Sequence, residues 1–434
     1  MTAELAGVAG IGILFALLAI RIPIWAALGL VGFFGNYFLS GPRAAFALAG
    51  TTPFDVASGY TLSVIPLFVL MGEVASRTGL SADLFVAARS MLARVRGGLA
   101  VATISASACF GAVCGSSVAT AATMTRIALP EMRKAGYDDG LAAASVASGG
   151  TLGLLIPPSI ILVIYAAIAE QSVPRLFAAG LLPGIALTVL YILAVLILVR
   201  VRPQLAPDTG PVAAEERTGG FSGPWQFLAL FIVTIGGIYA GIFSPTEAAA
   251  FGAFGAILLG VFRRRLNFAS FMTVIERTVI TSCMLFVIII GATLVSDFIV
   301  QTHLPMLLAD VARVLDLSGI AVMILIVIAY LIMGCFLEGI GMILITVPVF
   351  LPMVVQFGYD PIWFAIVVVI VVEVGLMTPP VGMNLFIIQA QAPEIRIPTI
   401  YRGILPFLPA PLILIVLLLL FPQIALWLPR VLYG

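Results

Sequence analysis

The sequence predicts an all-α polytopic membrane protein made of two halves inserted in opposite orientations. Three observations carry this: an apolar composition, a series of long apolar runs, and a repeat at one fixed offset. Of 434 residues, 62% are hydrophobic and only 9% charged, and the mean hydropathy is +1.21. Soluble domains carry about 25% charged residues because their surfaces face water; a chain this poor in charge is solvated by lipid. A net charge of +1 also argues against nucleic acid, which needs a clear excess of clustered Lys and Arg.

Apolar runs able to span a hydrocarbon core, about 17–25 residues, occur near 4–20, 23–40, 60–76, 138–170, 175–199, 224–242, 245–262, 279–301, 360–391 and 398–421. No basic stretch precedes the first run, so a retained first helix is expected rather than a cleaved signal peptide. Two further stretches, 98–135 and 319–356, are interrupted by Gly115-Ser116-Ser117 and by Gly334 to Gly339. Each is either two short crossings or one re-entrant hairpin, and the uncharged or singly charged tips favour hairpins. Stretches 81–95 and 266–278 mix charges with apolar residues at helical spacing and are expected to lie along the membrane surface. The polar segment 203–223 reads as a linker between a first half, 1–202, and a second, 224–434.

Charge placement tests this topology. With the N-terminus outside and the hairpins returning to their own side, Arg43, Arg175, Arg313 and Arg430 fall outside and Arg126 falls inside the first hairpin. The remaining 16 of 21 basic residues fall on the cytoplasmic side. Such a bias is what the positive-inside rule requires, and it places both termini outside.

A shift of 222 residues superimposes the halves. Leu129-Pro130 with Gly136-Tyr137-Asp138 falls on Leu351-Pro352 with Gly358-Tyr359-Asp360, and Gly153-Leu154 with Pro157-Pro158 falls on Gly375-Leu376 with Pro379-Pro380. Pro23, Ala26 and Ala27 fall on Pro245, Ala248 and Ala249. Five crossings and a hairpin per half is an odd count, so the second copy must be inverted, as in secondary transporters.

The paired Gly-Leu-x-x-Pro-Pro motifs carry the chemistry. Two consecutive prolines remove two backbone donors and push the preceding residue out of helical geometry, breaking each span into two half-helices. Freed carbonyls suit a hard cation such as Na⁺, and freed N–H groups suit a carboxylate. Ser116 and Ser117 at the first hairpin, with Ser105 and Ser107 nearby, and Thr378 with Asn384 beside Gly382 in the second broken span, add side-chain oxygens. The latter pair is expected to face the second hairpin tip at Glu338-Gly339. Intramembrane carboxylates are functional candidates, above all Glu338 and Glu373, then Asp297 and Glu247. For Glu338 a purely structural role, accepting backbone N–H bonds at the tip, is equally compatible. His303 and the cysteines Cys109, Cys114, Cys283 and Cys335 are given no chemistry, and no catalytic residue is assigned.

These motifs resemble the large membrane subunit of tripartite ATP-independent periplasmic (TRAP) transporters. The resemblance rests on Gly115-Ser116-Ser117-Val-Ala-Thr-Ala, Leu129-Pro130-Glu131-Met132, Gly153-Leu-Leu-Ile-Pro157-Pro158-Ser159, Ser244-Pro245-Thr246-Glu247-Ala248 and Gly375-Leu-Met-Thr-Pro379-Pro380-Val-Gly-Met-Asn384. It covers essentially the whole chain and implies an elevator-type, sodium-driven importer of organic acid anions in the bacterial inner membrane. It implies two partners, a small four-helix membrane subunit, expected as a separate chain, and a periplasmic substrate-binding protein. Na⁺ is the only metal and no cofactor is implied. Carried over, one sodium site comprises Gly115, Ser116 and Ser117 with the backbone from Gly153 to Pro157. The other comprises Glu338 and Gly339 with Gly375, Thr378 and Pro379. Substrate would lie between the tips, near Ser116, Ser117, Pro158, Thr378, Gly382 and Asn384. No Gly-x-x-x-x-Gly-Lys-Ser/Thr phosphate loop occurs, so ATP hydrolysis by this chain is not expected. The competing reading is a stand-alone organic-anion carrier or ion antiporter of related inverted-repeat fold.

Overall fold

The computed structural model describes residues 2–92, 94–207, 224–335, 337–380 and 382–434. All regular structure among them is helical: α1 Ala3–Ala19, α2 Ile24–Ser40, α3 Pro42–Ser58, α4 Val64–Arg77, α5 Leu80–Leu92, α6 Gly98–Cys114, α7 Ser117–Lys134, α8 Asp139–Leu155, α9 Ile160–Ile168 and α10 Val173–Val201. After the interruption come α11 Pro224–Tyr239, α12 Pro245–Phe262, α13 Phe268–Gln301, α14 Leu304–Val314, α15 Gly319–Gly334, α16 Gly339–Gln356, α17 Pro361–Met377, α18 Met383–Gln391, α19 Ile397–Ile404, α20 Pro409–Leu420 and α21 Gln423–Tyr433. Of the expected linker, Pro203–Leu205 forms one 3-10 turn, and 208–223 lies outside the described residues.

Each of the ten apolar runs is occupied by helix, so the chain is a multi-pass membrane protein. Among the described residues, six helical segments have the length and composition to cross a bilayer, or seven if the pair Pro42–Ser58 and Tyr60–Arg77, bent by 54°, counts as one. Others are slightly short: the 17 residues of α1 or α2 give about 26 Å at 1.5 Å per residue, against a hydrocarbon core of about 30 Å.

Three helices had no expectation attached. They are α3, whose Arg43, Thr51, Thr52 and Asp55 dilute its hydropathy, and the short α14 and α21. The 266–278 stretch is not a separate surface element. Asn267 caps a single 34-residue helix, α13, by accepting the Ser270 N–H at 2.8 Å, and nothing in the following residues breaks it. The other surface stretch does form its own helix, α5, tied by Asp83 to Arg263 at 2.6 Å and Arg265 at 2.9 Å, and by Arg89 to Glu131 of α7 at 3.0 Å.

Helices α2, α4, α12 and α13 form one packed layer. Against it stands a second body in which α6 and α7 pack on α8, and α15 and α16 on α17. Matching elements have closely matching lengths: α8 and α17 are 17 residues each, α9 and α18 nine each. Their starts match as well. Asp138 caps α8 by accepting the N–H groups of Gly140 and Leu141, and Asp360 caps α17 by accepting those of Ile362 and Trp363. A carboxylate over free N–H groups at a helix start stabilises it by about 1 kcal/mol.

Candidate functional site

The first hairpin turns in two residues. Gly115 sits in the left-handed region, φ 63°, where a side chain is strained, and its N–H closes on the Gly111 carbonyl at 2.7 Å. Ser116 is extended and caps α7, its hydroxyl accepting the Ala119 N–H at 3.4 Å. The second hairpin places Glu338 at the equivalent position, 222 residues on. Its carboxylate caps α16 through the Gly341 N–H at 3.4 Å. The tip-holding role weighed for Glu338 is therefore present, and the same side chain also faces a cavity.

Both Pro-Pro pairs interrupt their helices where expected, and both Pro–Pro bonds are cis. Ile156 ends α8 with ψ 122°, and Thr378 ends α17 with ψ 132°. Ser159 bridges the first break: its hydroxyl donates to the Leu154 carbonyl and accepts the Leu162 N–H at the start of α9. At the second break the Thr378 hydroxyl donates to Val374 O at 2.6 Å, and Gly382, φ 62°, begins α18.

Glycine lets each hairpin touch its broken helix backbone to backbone. A Cβ on Gly111 would lie 2.7 Å from Gly153 Cα, and one on Gly375 would lie 2.6 Å from Gly334 Cα. A Cβ on Gly115 would meet the Pro158 carbonyl at 3.0 Å. The first tip therefore meets its broken helix at Pro158, and the second hairpin meets α17 at Gly375 and the following break at Pro379, whose carbonyl accepts from Cys335 Sγ at 3.6 Å.

One expected grouping differs. Asn384 does not face the second tip; its Nδ2 donates to Ser117 Oγ of the first hairpin at 2.6 Å. The reason is crosswise packing, with α18 lying against α7 and α9 against α16. Correspondingly, a Cβ on Gly339 would lie 3.6 Å from Ile161 Cδ1 of α9.

A cavity of about 310 Å³ lies between the tips. Gly115, Ser116, Ser117, Glu338 and Gly339 line it from the expected set, together with Leu154, Ile160, Ile161 and Leu376. Gly153, Pro157, Pro158, Gly375, Thr378, Pro379, Gly382 and Asn384 are not on its wall. The opposite wall comes from Val69 and Glu73 of α4 and Thr281 and Leu285 of α13. Glu73 was not singled out from sequence, although a carboxylate within the 60–76 run was the available signal. A Cβ on the neighbouring Gly72 would lie 3.0 Å from Cys114 Cα, so α4 abuts the first tip directly. Among the described lining residues are two carboxylates and no basic side chain. The first turns of α7 and α16, at Ser117 and Gly339, both line the cavity, and at α16 the Glu338 carboxylate already caps the helix start.

Helices broken inside the apolar layer, each against a hairpin whose tip lines a shared cavity holding two carboxylates, define a membrane transport protein. The chain belongs to the family "Tripartite ATP-independent periplasmic transporter, DctM component", matched over residues 11–424. It is 35% identical over 378 residues to the C4-dicarboxylate TRAP transporter large permease protein DctM of Pseudomonas aeruginosa, covering 87% of this chain and 88% of that one. It is 30% identical to the sialic acid TRAP transporter large permease protein SiaM of Vibrio cholerae, covering 86% and 87%. To the ectoine TRAP transporter large permease protein TeaC of Halomonas elongata it is 31% identical, covering 96% of each chain. Among solved structures, the Alcanivorax borkumensis YdaH transporter has the same fold, with a TM-score of 0.61 at 18% identity, covering 88% of this chain and 89% of that one.

Proposed function

We propose that this chain is the sodium-coupled membrane importer of a binding-protein-dependent system. It carries an organic acid anion across the bacterial inner membrane with both of its termini on the periplasmic side. The observation that carries this reading is the cavity between the two hairpin tips. Oxygen donors of Ser116, Ser117 and Glu338 and the carbonyls of the broken helices suit Na⁺, while the N-terminus of α7 suits a substrate carboxylate. With no basic side chain among the described lining residues, bound Na⁺ offsets Glu338 and the substrate charge together.

One sodium site comprises Gly115, Ser116 and Ser117 with Gly153 to Pro157; the other comprises Glu338, Gly339, Gly375, Thr378 and Pro379. Residues 1–202 and 224–434 are the two inverted halves. The hairpins and broken helices move as one body past the α2, α4, α12 and α13 layer in an elevator cycle. Glu73 stands on the stationary wall. A small four-helix membrane subunit and a periplasmic binding protein complete the system, and the binding protein selects the anion. The named relatives range over C4-dicarboxylates, sialic acid and ectoine, consistent with selection outside this chain.

The energetics suffice. Each Na⁺ entering down a tenfold gradient and 100 mV releases roughly 3.7 kcal/mol, so two release about 7 kcal/mol. A monoanion entering against that potential costs about 2.3 kcal/mol, leaving enough for accumulation of a few thousandfold. The test is uptake by proteoliposomes holding this chain and its small subunit, with the binding protein outside. Accumulation should require both the sodium gradient and the binding protein. Equal accumulation without sodium would overturn the coupling, and equal accumulation without the binding protein would favour a stand-alone carrier.

A further inference from the structure

Other charges at membrane depth lie apart from the tip cavity. Glu373 is fully buried on α17, Asp297 lines a second cavity of about 330 Å³, and Arg126 is the one basic residue placed within a hairpin. The repeat shows what Arg126 faces. At the fixed offset of 222 residues Val118 of α7 matches Ile340 of α16, and both line the tip cavity. Further along the same two helices Ala122 matches Leu344 and Arg126 matches Pro348. Leu344 and Pro348 line the second cavity, whose other wall includes Asp55 of α3 and Asp297 of α13. This face of α16 therefore borders the space between its hairpin and the opposing helices, beyond the tip cavity. By the same register Arg126 borders the corresponding space beside the first hairpin, on the opposite side of the membrane. It stands about 12 Å along α7 from Val118, and about as far from Lys134 at the helix end.

The two spaces differ in charge. The one beside α16 holds two carboxylates and no basic side chain among its described lining residues, whereas α7 presents a guanidinium. Neighbouring arginines are occupied: Arg89 pairs with Glu131 at 3.0 Å and Arg133 with Asp139 at 2.9 Å. Arg126 is exposed and has no hydrogen bond or ion pair among the described residues. No carboxylate stands three or four residues away on α7, where a helical pair would form. A cation at membrane depth is costly unless it meets water or an anion, and a guanidinium matches a carboxylate through two parallel hydrogen bonds.

We propose that Arg126 is an oxyanion-binding residue on the cytoplasmic release route, which takes a carboxylate of the transported anion after it leaves the tip cavity. This rests on the importer reading above, which puts the Lys134 end of α7 in the cytoplasm. Arg126 draws the anion out of a cavity with no basic side chain among its described lining residues, and passes it to water about two turns further on. A headgroup phosphate offers the same chemistry from the lipid side, and binding measurements separate the two sources.

NMR spectra of the full-length chain with its small subunit, carrying isotope-labelled guanidinium groups in phosphatidylcholine nanodiscs, identify Arg126 as the resonance lost in Arg126→Lys. Succinate, used as a carboxylate probe, should move that resonance saturably, and should still do so in nanodiscs containing phosphatidylglycerol. No movement in the first lipid would overturn the proposal. Movement lost in the second would make Arg126 a headgroup anchor and overturn it as well. In proteoliposomes Arg126→Gln should lower the maximal uptake velocity roughly tenfold, with the half-maximal concentrations of sodium and loaded binding protein within about twofold of wild type. Arg126→Lys should restore most of the velocity. Undiminished velocity in Arg126→Gln would overturn the release route. Wild-type uptake that needs neither sodium nor the binding protein would sink the importer reading, while the succinate titration would still report the anion site. Should Arg126→Gln not reach the membrane, that titration decides alone.

Discussion

Two crossings, both apolar enough to span a bilayer, show how differently the two bodies of this molecule are built. In the broken span Asp139–Ile168, 89% of the most apolar stretch is buried inside the protein; in Pro245–Phe262 only 33% is. The first is surrounded by protein and packs through Gly, Ala and Ser, with Gly149 against Ser107 and Gly150 against Ala121. The second presents Phe251, Phe254, Leu258 and Phe262 outward. The span that protein surrounds is also the more apolar, so hydropathy does not report which face meets lipid. Both are rich in small residues, but those of the first meet neighbouring backbone, as Gly153 meets Gly111, whereas those of the second meet side chains, Gly252 against Met71 and Gly255 against Leu230; close backbone approach is what packs helices whose surroundings are already apolar.

The largest effect should come from violating that approach. Gly375→Val would force a branched side chain onto the Gly334 backbone, so loss of folded protein is expected, a destabilisation of at least about 1–3 kcal/mol by thermal unfolding. Gly12→Ala, with open space around the new methyl, is the matched control in α1 and should change stability by less than about 1 kcal/mol. Equal stability of both variants would erase the distinction between the bodies.

Next, Pro157→Ala or Pro379→Ala should abolish sodium-dependent uptake while leaving protein in the membrane; full uptake would reduce the breaks to mere kinks. Ser117→Ala removes the acceptor of the Asn384 amide, a loss of about 1–2 kcal/mol, read as a roughly tenfold fall in uptake efficiency. The smallest effect belongs to Asp83→Ala, which cuts the link between α5 and Arg263 and Arg265. These groups are partly exposed, so thermal unfolding should shift by no more than about 1 kcal/mol and uptake should persist.

Local chemistry made much of this legible. The interrupted stretches 98–135 and 319–356 form the helix pairs α6–α7 and α15–α16, and the breaks at Pro157-Pro158 and Pro379-Pro380 fall where proline forbids helix. Ser116 and Glu338, matched by the repeat, share a capping role. What sequence did not show depends on tertiary approach. The Asn384–Ser117 bond joins residues far apart in the chain, and Glu73 matters because α4 meets the tips. Helix α3 escaped notice because its polar residues place it below the hydropathy of a span.

The crosswise packing of α9 and α18 also constrains how the protein is made. The apolar residues of α9, from Ile160 to Ala166, are covered in part by α16, which leaves the ribosome only after the whole first half and the α11 to α15 segments. Until then the first broken helix has an uncovered flank, and the Ser117 hydroxyl waits still longer for Asn384. Biogenesis therefore ends with a closing step late in synthesis, and a chain truncated before Gly339 presents to lipid or quality-control proteases a surface that the finished protein hides.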